Sequence, residues 1–190
     1  MTTSLRERAA ACTPAQRRTI DVAISLFATH GVGGTSLGMI ADALGVTKAA
    51  VYYQFSTKEA IVLGVLDVKL SPLEAALEEA EAAGSTLAAR EGLLAAVIDV
   101  VVHNRHDLGA MQGDPVLFRY LRDHEPSRQM WVRLFSVLLG DDLDVKARTR
   151  AAVLSSAIGA AAHPFVVDLD NETLSVELLD ITRRLIFRPG

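Results

Sequence analysis

The sequence is poor in several features that would mark particular classes of protein. It holds one cysteine, Cys12, in 190 residues, which excludes an internal disulfide framework and fits a reducing, intracellular setting. No apolar run is long enough for a bilayer: the uncharged stretch 151–167 is broken by Ser155, Ser156, His163 and Pro164, whereas a spanning helix needs about 20 apolar residues. The first eight residues have no apolar segment behind a basic one, so no secretory signal is expected and a cytoplasmic location is. Positive charge is also scarce, with 19 Lys+Arg against 23 Asp+Glu and a net charge of −4. At the scale of the whole chain that balance speaks against a nucleic-acid partner. What is present in quantity is apolar: 50% hydrophobic and 22% charged residues describe a globular protein with room for one domain or two small ones.

The charge is unevenly spread. Through residue 58 the cations are Arg6, Arg8, Arg17, Arg18, Lys48 and Lys58, against Glu7, Asp21 and Asp42 alone. Beyond residue 70 there are 12 Lys+Arg and 18 Asp+Glu. A weakly basic N-terminal part and an acidic C-terminal part suggest two functional units.

Twenty-eight alanines, with leucines and other apolar residues recurring three and four apart, predict an all-α chain. Thr13-Pro14 is an N-cap and N1 pair for a helix over 14–30, which carries Ile20, Ala23, Ile24 and Phe27 on one face and ends at Gly31. Thr35 and Ser36 cap a short helix over 37–44, stopped by Gly45, and Thr47 caps another that continues to Phe55. A fourth helix starts at Lys58, and Ser71-Pro72 is expected to bend or break it. Further helices are expected at 86–105, 115–123, 127–139, 145–162 and 173–187, and the residues before the first helix are expected to be a mobile N-terminal arm.

Two short helices joined by a tight glycine turn make a helix-turn-helix. With Val51 and Phe55 facing inward, the second helix presents Lys48, Ala49, Tyr52 and part of Tyr53 and Gln54. These are an ammonium for phosphate, a small residue for close approach, two phenols, and an amide able to pair bidentately with adenine. Thr35 and Thr47 stand at helix N-termini, where backbone N–H groups can meet a phosphate, and Lys58 follows at the start of the next helix.

From Thr13 to Leu66 the sequence resembles the TetR family of bacterial transcriptional regulators. The resemblance rests on Phe27-Ala28-Thr29-His30-Gly31, Thr35-Ser36-Leu37, Ile40-Ala41, Leu44-Gly45-Val46 and the run Val51-Tyr52-Tyr53-Gln54-Phe55-Ser56-Thr57-Lys58-Glu59. It implies a DNA-binding domain over 1–58, in which Thr35, Thr47, Lys48, Ala49, Tyr52, Tyr53, Gln54 and Lys58 face DNA. It also implies a helical ligand-sensing and dimerisation domain over 59–190, with the last two helices of each subunit forming a four-helix bundle. The implied function is a regulator, more often a repressor, that binds a palindromic operator as a homodimer and is released by a small-molecule inducer. Candidates to line an inducer pocket are Met111, Phe118, Trp131, Phe135, His163 and Phe165. Gln54 stands where histidine is common in the family, and Ala49-Ala50 where a glycine-containing pair is frequent. No cofactor, metal or membrane partner is expected.

Two other readings are weaker. Gly34-Thr35-Ser36-Leu37-Gly38 matches the Gly-x-Ser-x-Gly elbow of serine hydrolases, but the elbow follows a strand, and here a helix and a turn precede it. Asp99, His103, His106 and Asp107 have spacings that could place three of them on one helical face for a metal, without the Glu-x-x-His motif of di-iron bundles.

Overall fold

The computed structural model describes residues 3–107, 114–140 and 144–187, with the side chains of residues 118, 121, 157, 158 and 162 outside that description. Among the described residues there is no strand. The helices are α1 (Leu5–Ala10), α2 (Pro14–Gly34), α3 (Leu37–Leu44), α4 (Lys48–Gln54), α5 (Lys58–Ala82), α6 (Leu87–His103), α7 (Pro115–Asp123), α8 (Glu125–Leu139), α9 (Val145–Gly159) with a 3-10 turn at Ala160–Ala162, and α10 (Asn171–Phe187). They fall into two compact units, one from the described residues of Met1–Ser71 and Ala110–Gln129, the other from those of Pro72–Gly109 and Met130–Gly190.

The first unit begins with a helix that periodicity does not announce. Ser4 and Glu7 form a capping box, each side chain meeting the other's backbone N–H at 3.2 and 3.0 Å, so the end of a six-residue helix is satisfied locally. Leu5 and Ala9 are then buried, and the segment is a docked helix rather than a loose arm. Thr13 and Gln16 repeat the box for α2. That helix turns at Gly31, whose φ of 71° suits a residue without a Cβ, so the predicted stop at His30 appears as a kink. Ile20, Ile24, Phe27, Ile40, Val51 and Ile61 are buried in this unit. Its packing extends past residue 58, because Ile61, Val62, Val65 and Leu66 are buried as well.

Of the bend or break expected at Pro72, the break does not occur: α5 runs from Lys58 through Pro72 to Ala82. Proline leaves the carbonyl four residues back without its N–H donor. That carbonyl belongs to Val68, and the Ser71 hydroxyl donates to it at 3.1 Å. The residue before the proline thus supplies a donor to the carbonyl that proline leaves open.

The second unit has a core of Ile98, Val101, Val102, Ala161, Leu174 and Leu178, drawn from α6, the 3-10 turn and α10. Arg105, itself buried, donates from Nη1 and Nη2 to the carbonyls of Val166 and Leu169 at 3.2 and 2.5 Å, tying down the turn that leads into α10. No helix is long and apolar enough to cross a membrane among the described residues.

Candidate nucleic-acid interface

The turn between α3 and α4 is built by Gly45, at φ 66°. Its N–H donates to Asp42 at 3.1 Å and that of Val46 to Ala41 at 3.0 Å, the paired bonds of a Schellman stop that needs a left-handed residue. Ser36 caps α3 by accepting from Met39 N–H at 3.2 Å, and Thr47 caps α4 by accepting from Ala50 N–H at 3.2 Å. Val51 and Phe55 are buried, which fixes the rotation of α4 and sends its opposite face outward.

That outward face carries much of the predicted set. Lys48 and Ala49 are exposed, Tyr52 is 46% exposed and Tyr53 94%. The Lys48 ammonium lies 5.7 Å from the centroid of the Tyr52 ring, within reach of a cation–π attraction. Such a pair holds a cation and a phenol side by side on the surface of a two-turn helix. Arg17 and Arg18 are exposed on α2, whereas Arg8 is committed to Asp67 at 2.8 Å.

Three residues of the predicted set are held inward. Thr35 is 1% exposed, and its hydroxyl lies 2.8 and 3.2 Å from the carbonyls of Gly31 and Leu26; it closes the α2 end, while Ser36 takes the cap. Lys58 donates to the carbonyls of Val32, Thr35 and Gly33 at 2.8, 3.0 and 3.4 Å. Three carbonyls absorb the three donors of an ammonium at the negative end of a helix. Gln54 is bonded through its side-chain oxygen to the Thr19 hydroxyl at 2.8 Å, and its backbone carbonyl accepts from Gln16 Nε2 at 3.4 Å. A bidentate pair with adenine needs both ends of the amide free, so Gln54 as placed fastens α4 to α2.

Two residues outside the predicted DNA-facing set organise this region. Asp114 accepts Val32 N–H at 2.7 Å with one carboxylate oxygen and caps α7 with the other, accepting from Val116 and Leu117 at 2.8 and 3.2 Å. Burial pushes this carboxyl up, but the N–H donors of Val32, Val116, Leu117 and Gly33 outweigh it and leave it below its ordinary value. Thr19, 1% exposed, has no periodic signal beyond its place on the inner face of α2.

The inducer-pocket candidates form two aromatic pairs, Trp131 with Phe135 at 6.1 Å and His163 with Phe165 at 5.0 Å. Phe165 is 89% exposed and His163 is also exposed. Met111 and the Phe118 side chain lie outside the described residues. The hydrolase elbow is a helix cap here, Ser36 standing between α2 and α3 with no strand before it. Asp99 and His103 pair with each other at 3.0 Å. A buried Ser127 lies 2.8 Å from His124 Nδ1, with Asp67 3.8 Å from Nε2, but Ser127 is fully enclosed, so the trio has no access to a substrate.

These helices define a helix-turn-helix head on an otherwise helical chain. Residues 20–65 match the family model described as bacterial regulatory proteins, tetR family. The transcriptional regulator SrpR of Pseudomonas putida is 38% identical over 69 residues, 36% of this chain and 32% of SrpR, so the chain spans about a third of that relative's length. The transcriptional repressor KstR2 of Rhodococcus jostii is 28% identical over 149 residues, 70% of this chain and 73% of KstR2. The crystal structure of NalD, the secondary repressor of the MexAB-OprM multidrug efflux pump in Pseudomonas aeruginosa, superposes with a TM-score of 0.66 at 22% identity, over 93% of this chain and 98% of NalD. The helix-turn-helix segment, residues 20–65, is therefore similar to that of the TetR family. That family is one of transcriptional regulators, which are not enzymes.

Proposed function

We propose that the protein is a ligand-responsive transcriptional repressor that binds a palindromic DNA site as a homodimer. The observation that carries this reading is α4: a capped, two-turn helix whose inner face is fixed by Val51 and Phe55 and whose outer face offers Lys48, Ala49, Tyr52 and Tyr53. The functional DNA-binding part is residues 1–58, and 59–190 senses and dimerises. The outer residues are suited to the phosphate backbone, with the small Ala49 permitting approach to the groove. So short a helix reads few base pairs, and two-fold symmetry doubles the contact.

The last two helices support the dimer. Val145 and Val153 on α9, with Val176 and Ile181 on α10, leave large apolar side chains in solvent, Val145 being 79% exposed. Apolar surface on two adjacent long helices is what a four-helix interface would cover. The repressor role draws on KstR2 and NalD, both named as repressors. An inducer would act by favouring an arrangement in which the two α4 helices no longer match the operator, and Trp131 and Phe135 are offered as pocket-lining residues. A cytoplasmic location goes with a DNA partner in this reading.

Footprinting the full chain on the DNA flanking its own coding region, with the mass of the complex measured in parallel, tests this. A protected inverted repeat carrying two chains, or a multiple of two, supports the reading. Uniform, sequence-independent binding, or one chain per site, contradicts it.

A further inference from the structure

A cavity of about 390 Å³ opens in the second unit where the end of α5, the start of α6 and the end of α8 come together, lined by Glu81, Ser85, Arg90, Ser136, Val137 and Leu139 among others. That volume lies within the range of small-ligand sites, about 300–1,000 Å³. The charges on its wall do not cancel. Glu81 is held bidentately by Arg133, at 3.0 and 2.5 Å, so its charge is already matched. Arg90 has no such partner: among the described residues no carboxylate lies within ion-pair distance of it. One of its five N–H donors goes to the Leu138 carbonyl, and its guanidinium stands over the Phe187 ring at 5.0 Å. Its Nε is closed off from solvent and has no acceptor.

A guanidinium with a shielded, unmet donor is costly unless an acceptor arrives. Its planar fork matches a carboxylate best, and Val137 and Leu139 add a small apolar part to an otherwise polar cavity wall. We propose that this cavity binds a small organic carboxylate, with Arg90 as the group that holds its charge. The proposal deepens the ligand-responsive reading above, and its effector role rests on that reading.

Titration calorimetry of the full-length protein with hexanoate, 1-hexanol and inorganic phosphate separates the contributions. Hexanoate should bind at one site per chain and 1-hexanol should not. Arg90→Gln should weaken hexanoate at least about tenfold, the scale of one charge-assisted bond. Because Arg90 also ties down the end of α8, Ser85→Asp is the second variant: it places a negative charge on the cavity wall without touching the Arg90–Leu138 bond, and should weaken hexanoate similarly while thermal unfolding stays cooperative. Failure of hexanoate to bind, equal binding by both variants, or preference for phosphate over hexanoate overturns the site. Adding hexanoate to the protein bound to its DNA reads the second step separately: release supports the effector role, and binding without release keeps the site and removes that role.

Discussion

Asp114 reaches across 82 positions of sequence to accept the Val32 N–H at 2.7 Å, while Lys58 donates to the carbonyl of the same Val32 at 2.8 Å. Val32, the residue that follows the Gly31 kink, is therefore held at both of its backbone polar groups, by a carboxylate on its N–H and an ammonium on its C=O. The Asp114 carboxylate also caps α7, so one side chain joins the end of α2 to the start of another helix. Asp114→Ala should lower the unfolding free energy by about 1–2 kcal/mol, the scale of a lost cap, as read from urea denaturation. Asp114→Asn keeps a capping oxygen and should lose less. Equal losses would mean that the charge, rather than the cap, carries the effect.

Lys58 gives a prediction opposite to the one drawn from its place in the sequence. A lysine that neutralises a phosphate steepens the salt dependence of DNA binding by about 0.9 in log–log slope. With its donors spent on Val32, Gly33 and Thr35, Lys58→Met should leave that slope unchanged and lower stability by about 1–3 kcal/mol. Lys48→Ala should do the reverse, reducing the slope by about 0.9 with little effect on unfolding. Salt titration of DNA affinity for both variants, beside their melting curves, separates the two lysines.

Acid should destabilise the first unit in two steps. Burial drives the His124 imidazole below its ordinary value of 6.5, with Asp67 opposing that shift and Arg8 reinforcing it. The folded state thus favours neutral His124; this contribution is full above 6.5 and is lost as pH falls through the folded value. Asp114 is also lowered, from 3.8, so its contribution is full above that value and lost below it. Melting temperature against pH should begin to fall below about 6.5 and steepen in the carboxylate range. His124→Asn should remove the first step alone; a variant that keeps it would assign the step to another group.

Much of this fold could be read from the sequence because its signals are local. Thr13-Pro14, Ser36, Gly45 and Thr47 mark helix ends through bonds to residues at most four positions away, and the burial of Val51 and Phe55 follows from helical spacing. The α1 helix carried the same kind of signal in Ser4 and Glu7, a capping box that a six-residue segment offers without a periodic stripe behind it. At Pro72, where Ser71-Pro72 allows a bend or a break, the helix is unbroken, and the Ser71 hydroxyl bonds the carbonyl that proline leaves without a donor. The outward-facing half of the site was legible for the same reason as the turn. Its inward-facing half was not: the partners of Gln54 and Lys58 lie 35 and 23–26 positions away, and Asp114 meets Val32 only through the tertiary fold.

The central claim is that the outer face of α4 meets DNA, and the affinity of the Lys48→Ala, Tyr52→Ala double variant for the protein's own flanking DNA tests it most directly. Both side chains are exposed, so the variant should fold and melt like the parent. It should bind at least about tenfold more weakly, the loss expected of two backbone-facing contacts of roughly 1 kcal/mol each. Undiminished affinity in a folded, cooperatively melting variant would contradict the account.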